Sequence, residues 1–477
     1  MTDNAGNQAT SNRAAVVVLG AGLAGLSAAW LLARKGYQVV VLERETYCGG
    51  LAITKQRNGF RYDLGPHNIH TGHAHVLQFL KREFTSLFAH RPSFKIFRRS
   101  RFIDYPIQGP RVITSLKPMT IVPAAVSFLL ARCALFLKEP RHEASFRDWI
   151  VNRFGRILHR EYFHDYPSKV WGLETDRIHK YVAEKRVPTM SVLELIQGVF
   201  GRIKGAGHPE FTDENFYLRL GIGELPEFFE AGLRASGGEI INSVTLEKIE
   251  RAGDDITGVR YRASDGKPQH LPCSHLLSTI PVNDLVTLVP DLPGETVQAA
   301  RDLTYRSTVL LFVQLRAELP LPGTILYFTE PEILFSRLYD VGQFSKRMIP
   351  EGKGLLCIEF PCQQDDEVWS MSVADLYAHA LAILEARGLL TANHVETSFT
   401  EKVSHSYPVF DTEYAVRLES CFRDLRRFRN LLSYGRQGGF MYINTDGAIQ
   451  QGFKAATAVV MARDYGSSCA EWFAAKG

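Results

Sequence analysis

Three glycines, Gly20, Gly22 and Gly25, stand at G-x-G-x-x-G spacing, and an acid, Glu43, follows 18 residues after the last of them. Such a set can hold a dinucleotide. The first glycine allows a tight turn, the second clears a path for a pyrophosphate, the third lets a helix lie close to a strand, and the carboxylate accepts ribose hydroxyls. This chemistry needs elements in a fixed order, and the flanking sequence supplies them. Residues 16–19 form an apolar run suited to a buried parallel strand. Residues 23–34, rich in Ala and Leu, predict a helix whose free N–H groups face the phosphates. Residues 38–42 predict a second strand that delivers Glu43 at its C-terminal end.

Beyond the acid come Glu43-Arg44-Glu45-Thr46-Tyr47-Cys48-Gly49-Gly50 and then Tyr62-Asp63-Leu64-Gly65-Pro66-His67. With the glycine motif, these runs resemble the FAD-binding signature of the amine oxidase superfamily. The resemblance implies FAD as the cofactor, a glycine pair at Gly49-Gly50 passing its phosphates, and the Asp63 to Pro66 segment lying beside the isoalloxazine ring. Gly65-Pro66-His67-Asn68-Ile69-His70-Thr71 is similar to an element of the UDP-galactopyranose mutases, which share a branch with protoporphyrinogen oxidase-like proteins. Gly435-Arg436 is similar to the Gly-Arg that returns to the flavin in both groups. On this resemblance the cofactor contacts are Gly20, Gly22, Leu23, Ala24, Gly25, Glu43, Arg44, Gly49, Gly50, Leu51, Gly65, Pro66, His67, Val244, Gly435 and Arg436. Val244 enters because residues 239–244 match a strand that offers a backbone amide and carbonyl to the adenine.

A flavin needs little from its protein beyond orientation of a substrate, so the search is for groups that pose one. His67 and His70 lie three apart in a loop opened by Gly and Pro; each could serve the reaction or simply make a local hydrogen bond. Tyr166-Pro-Ser-Lys169-Val170-Trp171-Gly172 is similar to the mutases' Tyr-x-x-Lys-x-Trp-Gly, which implies a substrate-side role for Tyr166 and Trp171; Trp171 could equally fill a core. Arg186, in Lys185-Arg186-Val187-Pro188, matches the first part of the mutases' Arg-Ile-Pro-Val-Arg, but the second arginine is replaced in the Thr189-Met190 region. A hydroxyl does not substitute for a bidentate guanidinium on a phosphate. Arg337 could clamp an anion or pair with Asp340, and Tyr339 lies beside it in sequence. Tyr442 and Asn444 follow Gly435-Arg436, and Glu359 and Tyr407 fall in strand-like runs of the same lobe. The expected catalytic group is His67, His70, Arg337 and Tyr442, with Tyr166, Trp171, Arg186, Tyr339 and Asn444 binding substrate. His73 and His75 have no matching Cys or acid spacing, so no metal site is expected.

At 477 residues the chain is too long for one ordinary core. Its hydrophobic content of 45% is that of a folded globular protein, and a net charge of +4 gives no argument for nucleic acid. Seven scattered cysteines with no CxxC pair favour reduced thiols and a cytoplasmic setting. The fold class expected is α/β, with a discontinuous Rossmann-like FAD-binding domain and an inserted mixed substrate-binding lobe. Residues 1–12 read as a disordered leader. Residues 13–80, 217–285 and 430–477 read as the FAD-binding pieces, 81–216 as a mainly helical substrate or membrane-type lobe, and 286–429 as a substrate-binding α+β lobe. Residues 119–137 are apolar apart from Thr120, Ser127 and Arg132. The first expectation for them is a buried helix; the alternative is a helix dipping into one leaflet, drawn to anionic lipid by Arg91, Lys95, Arg98, Arg99 and Arg101 at the inner face of a membrane.

The leading expectation is FAD-dependent hydride removal from a small polar substrate. The alternatives are a redox-neutral nucleotide-sugar mutase and a flavin-holding scaffold or membrane-docking protein. Homodimerisation stays open.

Overall fold

The computed structural model describes residues 14–98, 101–105, 116–137, 143–187 and 215–465. The leader 1–12, Arg99 and the Thr189-Met190 region lie outside the described residues.

The first strand, Ala15–Leu19, is buried from Val16 onward, as its unbroken apolar run requires. It pairs in parallel with Val39–Leu42 on one side and with the end of Pro268–Ser278 on the other, Val17 standing between Val40 and Leu276. Glu239–Ile241 extends the sheet past Val39–Leu42, and Leu431–Ser433 adds in parallel to the long strand Pro268–Ser278. That long strand also joins an antiparallel meander with Asp255–Arg262 and Thr245–Ala252. One sheet thus gathers strands from the beginning, middle and end of the chain.

Helix Leu23–Arg34 follows the first turn, packed between helices Glu224–Ala235 and Thr445–Tyr465. Gly20 has a φ of +94°, and a Cβ on Gly25 would fall 2.1 Å from the Gly20 carbonyl oxygen. The glycine spacing therefore serves a left-handed turn and a helix seated directly on it.

The second sheet runs in the order Val395–Pro408, Tyr305–Leu315, Gly354–Cys362, Arg337–Asp340, Ile325–Phe328, Phe94–Arg98, Arg101–Tyr105. Its last two strands come from the stretch expected to be mainly helical. Phe94–Arg98 pairs in parallel with Ile325–Phe328, so residues 81–216 and 286–429 share one sheet. The apolar side chains of Phe94, Ile96 and Phe97 favour a strand over a helical lobe at this point.

Two further differences have clear causes. The strand expected over residues 239–244 stops at Ile241, because Ser243 takes a φ of +57°. The apolar helix is Pro118–Leu137, and it is not a core helix: in its most apolar 18-residue window Ala124 is buried, while the remaining residues are half-buried or exposed. It rests on helix Phe146–Leu158, which kinks at Gly155 where Ser127 closes in; a Cβ on Gly155 would sit 2.5 Å from the Ser127 carbonyl oxygen. Of the basic cluster proposed to attract lipid, Lys95 pairs with Asp104 and Arg98 with Glu161.

Candidate functional site

A cavity of about 740 Å³ lies between the two sheets, within the usual range for small-molecule sites of ~300–1,000 Å³. One arm follows the glycine turn. Gly22, Leu23 and Ala24 line it, and a Cβ on Gly22 would meet nothing within 4 Å, so the missing side chain leaves open space. Helix Leu23–Arg34 begins here with no side-chain cap, and its orphan N–H groups favour an anion. Helix Thr445–Tyr465 brings Asn444, Thr445 and Ala448 to the same cavity. Glu43 is buried at the strand end; its Oε2 accepts from the Ala21 amide at 2.6 Å and its Oε1 from the Glu45 amide at 3.0 Å. Each carboxylate oxygen keeps a second lone pair for a ribose hydroxyl. Arg44, Gly49, Gly50 and Leu51 complete this arm. Clearance at Gly22, an uncapped helix start and a fixed acid at the next strand end fit a dinucleotide.

The other arm ends among charges. Arg337 stands opposite Glu359 across two antiparallel strands, and its Nε donates to Glu359 Oε2. Its Nη2 donates to the Tyr407 hydroxyl at 3.3 Å. The Arg436 guanidinium donates to the Ser406 carbonyl at 2.7 Å and to the Ile443 carbonyl at 2.7 Å, and it lies over the Tyr407 ring at 4.7 Å. Arg186 lies over the Tyr442 ring at 4.5 Å, and the rings of Tyr442 and Tyr407 stack at 5.9 Å and 10°. Three guanidinium groups and two stacked tyrosines therefore meet on one wall. The acids lining the cavity among the described residues are Glu43, Glu45, Asp284 and Glu359, and the first three belong to the ribose arm around Arg44.

Burial governs the protonation of this end. It pushes the Glu359 carboxyl upward while Arg337 pulls it back. For Arg337, burial works to lower the pKa, but Glu359 and the surrounding tyrosines hold it well above the ordinary value, so the guanidinium stays charged. Oε1 of Glu359 has no hydrogen-bond partner and lies 4.0 Å from where a Gly65 Cβ would be. His67 is pushed down to about 4 by burial, then by Arg436 and Arg337, and is neutral near pH 7. Its Nδ1 has no hydrogen-bond partner, with Asp63 Oδ2 4.0 Å away. Asp63, pushed up to about 6 by burial, accepts from Thr54 Oγ1 at 2.6 Å, from the Tyr217 hydroxyl and from the Ile222 amide at 3.2 Å. It is a strut that ties the Gly65 loop to the turn at Gly221.

Among the residues picked from sequence, His67, His70, Arg337, Tyr442, Arg186 and Asn444 all line the cavity, as do Gly65, Pro66, Val244 and Arg436. Others do not. Gly25 and Gly435 serve packing, a Cβ on Gly435 lying 2.9 Å from that of Ala24. Trp171 is buried behind the wall, 6.0 Å from the Tyr407 ring and 6.2 Å from Tyr442, so it backs the tyrosines and does not face the cavity. Tyr166 packs edge-on against Tyr327 at 5.6 Å, and it is Tyr327 that reaches the lining. Tyr339 is buried against Phe344, farther along the strand than Arg337. Arg337 pairs with Glu359; Asp340 instead accepts from the Gly342 amide at 2.9 Å. The Val244 amide is already engaged by the Glu43 carbonyl at 3.0 Å, which leaves it no free N–H for an adenine. Sequence reading passed over residues 402–406, a polar strand end whose cavity-facing role follows only from its pairing with Tyr305–Leu315.

Comparison with known proteins follows the same lines. A structure of reduced UDP-galactopyranose mutase superposes with a TM-score of 0.79 at 21% identity, covering 94% of each chain. A protein assigned as a protoporphyrinogen oxidase from Exiguobacterium sp. 255-15 superposes with a TM-score of 0.74 at 18% identity, covering 94% of this chain and 99% of that one. Both likenesses are of fold. An L-amino-acid oxidase of Crotalus adamanteus is 44% identical over 77 residues, a match that spans 16% of this chain and only 15% of that relative. The model of the flavin containing amine oxidoreductase family matches residues 23–460. With an α/β fold, a dinucleotide arm and a match over nearly its whole length, the chain belongs to the family of flavin containing amine oxidoreductases.

Proposed function

We propose that this protein binds FAD and acts on a small substrate that carries a phosphate or diphosphate. The observation that carries the reading is the convergence of Arg186, Arg337 and Arg436 on one wall of the cavity, where Glu359 is the carboxylate among the described lining residues. Glu359 pairs with Arg337. A wall built of three guanidinium groups favours an anionic ligand, such as a phosphate or diphosphate, and repels the ammonium of a simple amine. Gly22, the start of helix Leu23–Arg34 and Glu43 would hold the FAD phosphates and ribose, while the Gly65 loop would lie at the flavin ring. The bound flavin supplies a hydride acceptor when oxidised and a nucleophile when reduced.

The residues of the chain then orient and protect. Arg337 and Arg186 grip the anion, and Arg436 braces Tyr407 and Tyr442 through its backbone contacts. The two rings exclude water beside it. His67, neutral and with its Nδ1 unpaired, can accept a hydrogen bond from a substrate hydroxyl and so orient it for oxidation. Oxidation by hydride removal is therefore the first reading.

A second reading has its own support. In a redox-neutral rearrangement of a nucleotide sugar, the diphosphate must leave and return, and a wall of guanidinium groups stabilises it while detached. The arginine missing after Pro188 had weakened this reading, but Arg436 adds a second buried guanidinium to Arg337 from another part of the chain. The test is an anaerobic absorbance spectrum of the purified holoprotein before and after addition of UDP-hexoses, amines and a porphyrinogen, with products analysed again after dithionite. Bleaching by a phosphorylated substrate supports oxidation, and conversion of a UDP-hexose only after reduction supports rearrangement. Bleaching by amines with no response to phosphorylated compounds would overturn the proposed substrate class.

A further inference from the structure

Helix Pro118–Leu137 is built inside out for a helix in water. At 100° per residue its positions divide into two halves. Every exposed position between Pro118 and Leu135 falls in one half, and none of them carries a charged, hydroxyl or amide side chain. Met119 is 90% exposed, Val122 70% and Leu130 66%, with Val126 and Leu129 alongside. The polar residues Thr120, Ser127 and Arg132 fall in the other half, toward the protein. There Ala124 is buried, Ser127 closes on Gly155, and Arg132 folds over the Phe128 ring at 5.9 Å. A surface helix facing water shows the opposite arrangement. A contiguous apolar face of this kind marks a surface that something covers.

Two observations choose the occupant. The apolar face is about half the circumference wide and runs along residues 118–135, about 27 Å. A pairing with the same helix of a second copy would bury a narrower seam, whereas half-immersion in a lipid interface wets one whole side with hydrocarbon. The charge at the ends agrees: Arg111 and Lys117 precede the helix in sequence, and Lys138 and Arg141 follow it, against Glu139 and Glu143, the latter paired with Arg153. Cations at both ends of an apolar helix suit one lying flat among anionic headgroups. We infer that this helix is a monotopic anchor that seats the protein on the surface of a bilayer containing anionic lipid, with helix Phe146–Leu158 beneath it as its platform.

The anchor does not cross the bilayer, because its other half is fixed to the platform at Ser127 and Gly155. The inference stands apart from the substrate reading, since it rests on none of the cavity residues.

The experiment is flotation of the full-length holoprotein on a density gradient with phosphatidylcholine vesicles, with and without phosphatidylglycerol. The expected result is co-flotation that strengthens with phosphatidylglycerol and weakens with salt. The double variant Val126→Glu/Leu130→Glu should lower the bound fraction at least about tenfold. Retained flavin absorbance and an unchanged melting temperature in that variant show that its fold is intact. A second variant, Leu130→Trp, reports directly on the wild-type surface: its emission should shift to the blue when vesicles are added. Wild-type protein that stays at the bottom with both vesicle types, together with an unshifted Leu130→Trp emission, overturns the anchor. A wild-type dimer by light scattering that the double variant splits, with no flotation, overturns it in favour of a second copy.

Discussion

Arg337 and Glu359 give the sharpest quantitative test of the site. Their side chains are 18% and 7% exposed, so solvent screens the pair little. Arg337→Met would strand the Glu359 carboxylate in a buried pocket where Oε1 already lacks a partner. Removing one member of such a pair costs ~3–5 kcal/mol. Adding Glu359→Gln removes the stranded charge, so the double variant should recover about 2 kcal/mol of that loss. Guanidinium melts of the holoproteins, followed by circular dichroism, would measure both. The same variants separate folding from binding. Each lacks a charge-assisted contact worth ~1.5–3 kcal/mol, so UDP should bind roughly 10- to 150-fold more weakly to the double variant even though it is the more stable of the two. A loss below about 1 kcal/mol in Arg337→Met, or a double variant no more stable than the single, would refute the buried-pair reasoning. Unchanged UDP affinity in the double variant would remove Arg337 from the anion site.

Other outcomes follow from the same geometry. Gly22→Val points a branched side chain into the open path of the phosphates, so the protein should fold with an unaltered circular dichroism spectrum and purify colourless; a yellow, fully loaded variant would sink the dinucleotide arm. Trp171→Ala should destabilise by ~3–5 kcal/mol and lower the melting temperature, because the ring is buried behind Tyr407 and Tyr442; an unaffected melt with lost UDP binding would return it to the cavity face. Stability should fall as pH drops from about 6.5 toward 4. His67, His90, His159 and His405 are each held at about 4 by burial, so the unfolded chain takes up those four protons first. His179, His275 and His379, also pushed down by burial, act in the same direction, whereas Asp63, pushed up to about 6, and Glu227, Asp284, Glu330, Asp340 and Glu359, pushed up by burial, work against them by taking their protons in the folded state first. Denaturant midpoints at pH 7.5, 6 and 5 that stay level or rise would contradict this balance.

The dinucleotide arm was legible because its determinants are local. Gly20 to Gly25 act within one turn and Glu43 ends the next strand, so spacing alone carries the geometry. The arginine wall was legible residue by residue but not as a wall. Arg186, Arg337 and Arg436 are far apart in sequence, and only the second sheet and the turn at Gly435 bring them together. Trp171 shows the limit from the other side: an aromatic motif does not say which face of a wall the ring occupies. Phe94–Arg98 misled because one stretch of chain lends its strands to a sheet whose other members come some 200 residues later. The helix at 118–137 misled because apolar composition is the same for a core and for a covered surface; only the side on which its few polar residues lie tells them apart.

The threading of the first sheet has a consequence for how the protein is made. Ala15–Leu19 gains Val39–Leu42 early, but its other neighbour ends at Ser278, and the strand beyond that ends at Ser433. A nascent chain therefore carries a half-paired, wholly apolar strand for most of its synthesis, with an open edge prone to wrong partners. The cavity is completed later still, since Asn444 and Thr445, which line it together with Gly22, come from the start of the last helix. Truncating the C-terminal piece should then cost more than a binding contact: it should yield insoluble protein, whereas supplying riboflavin during expression should raise the soluble yield of the full chain by trapping the closed form as it completes.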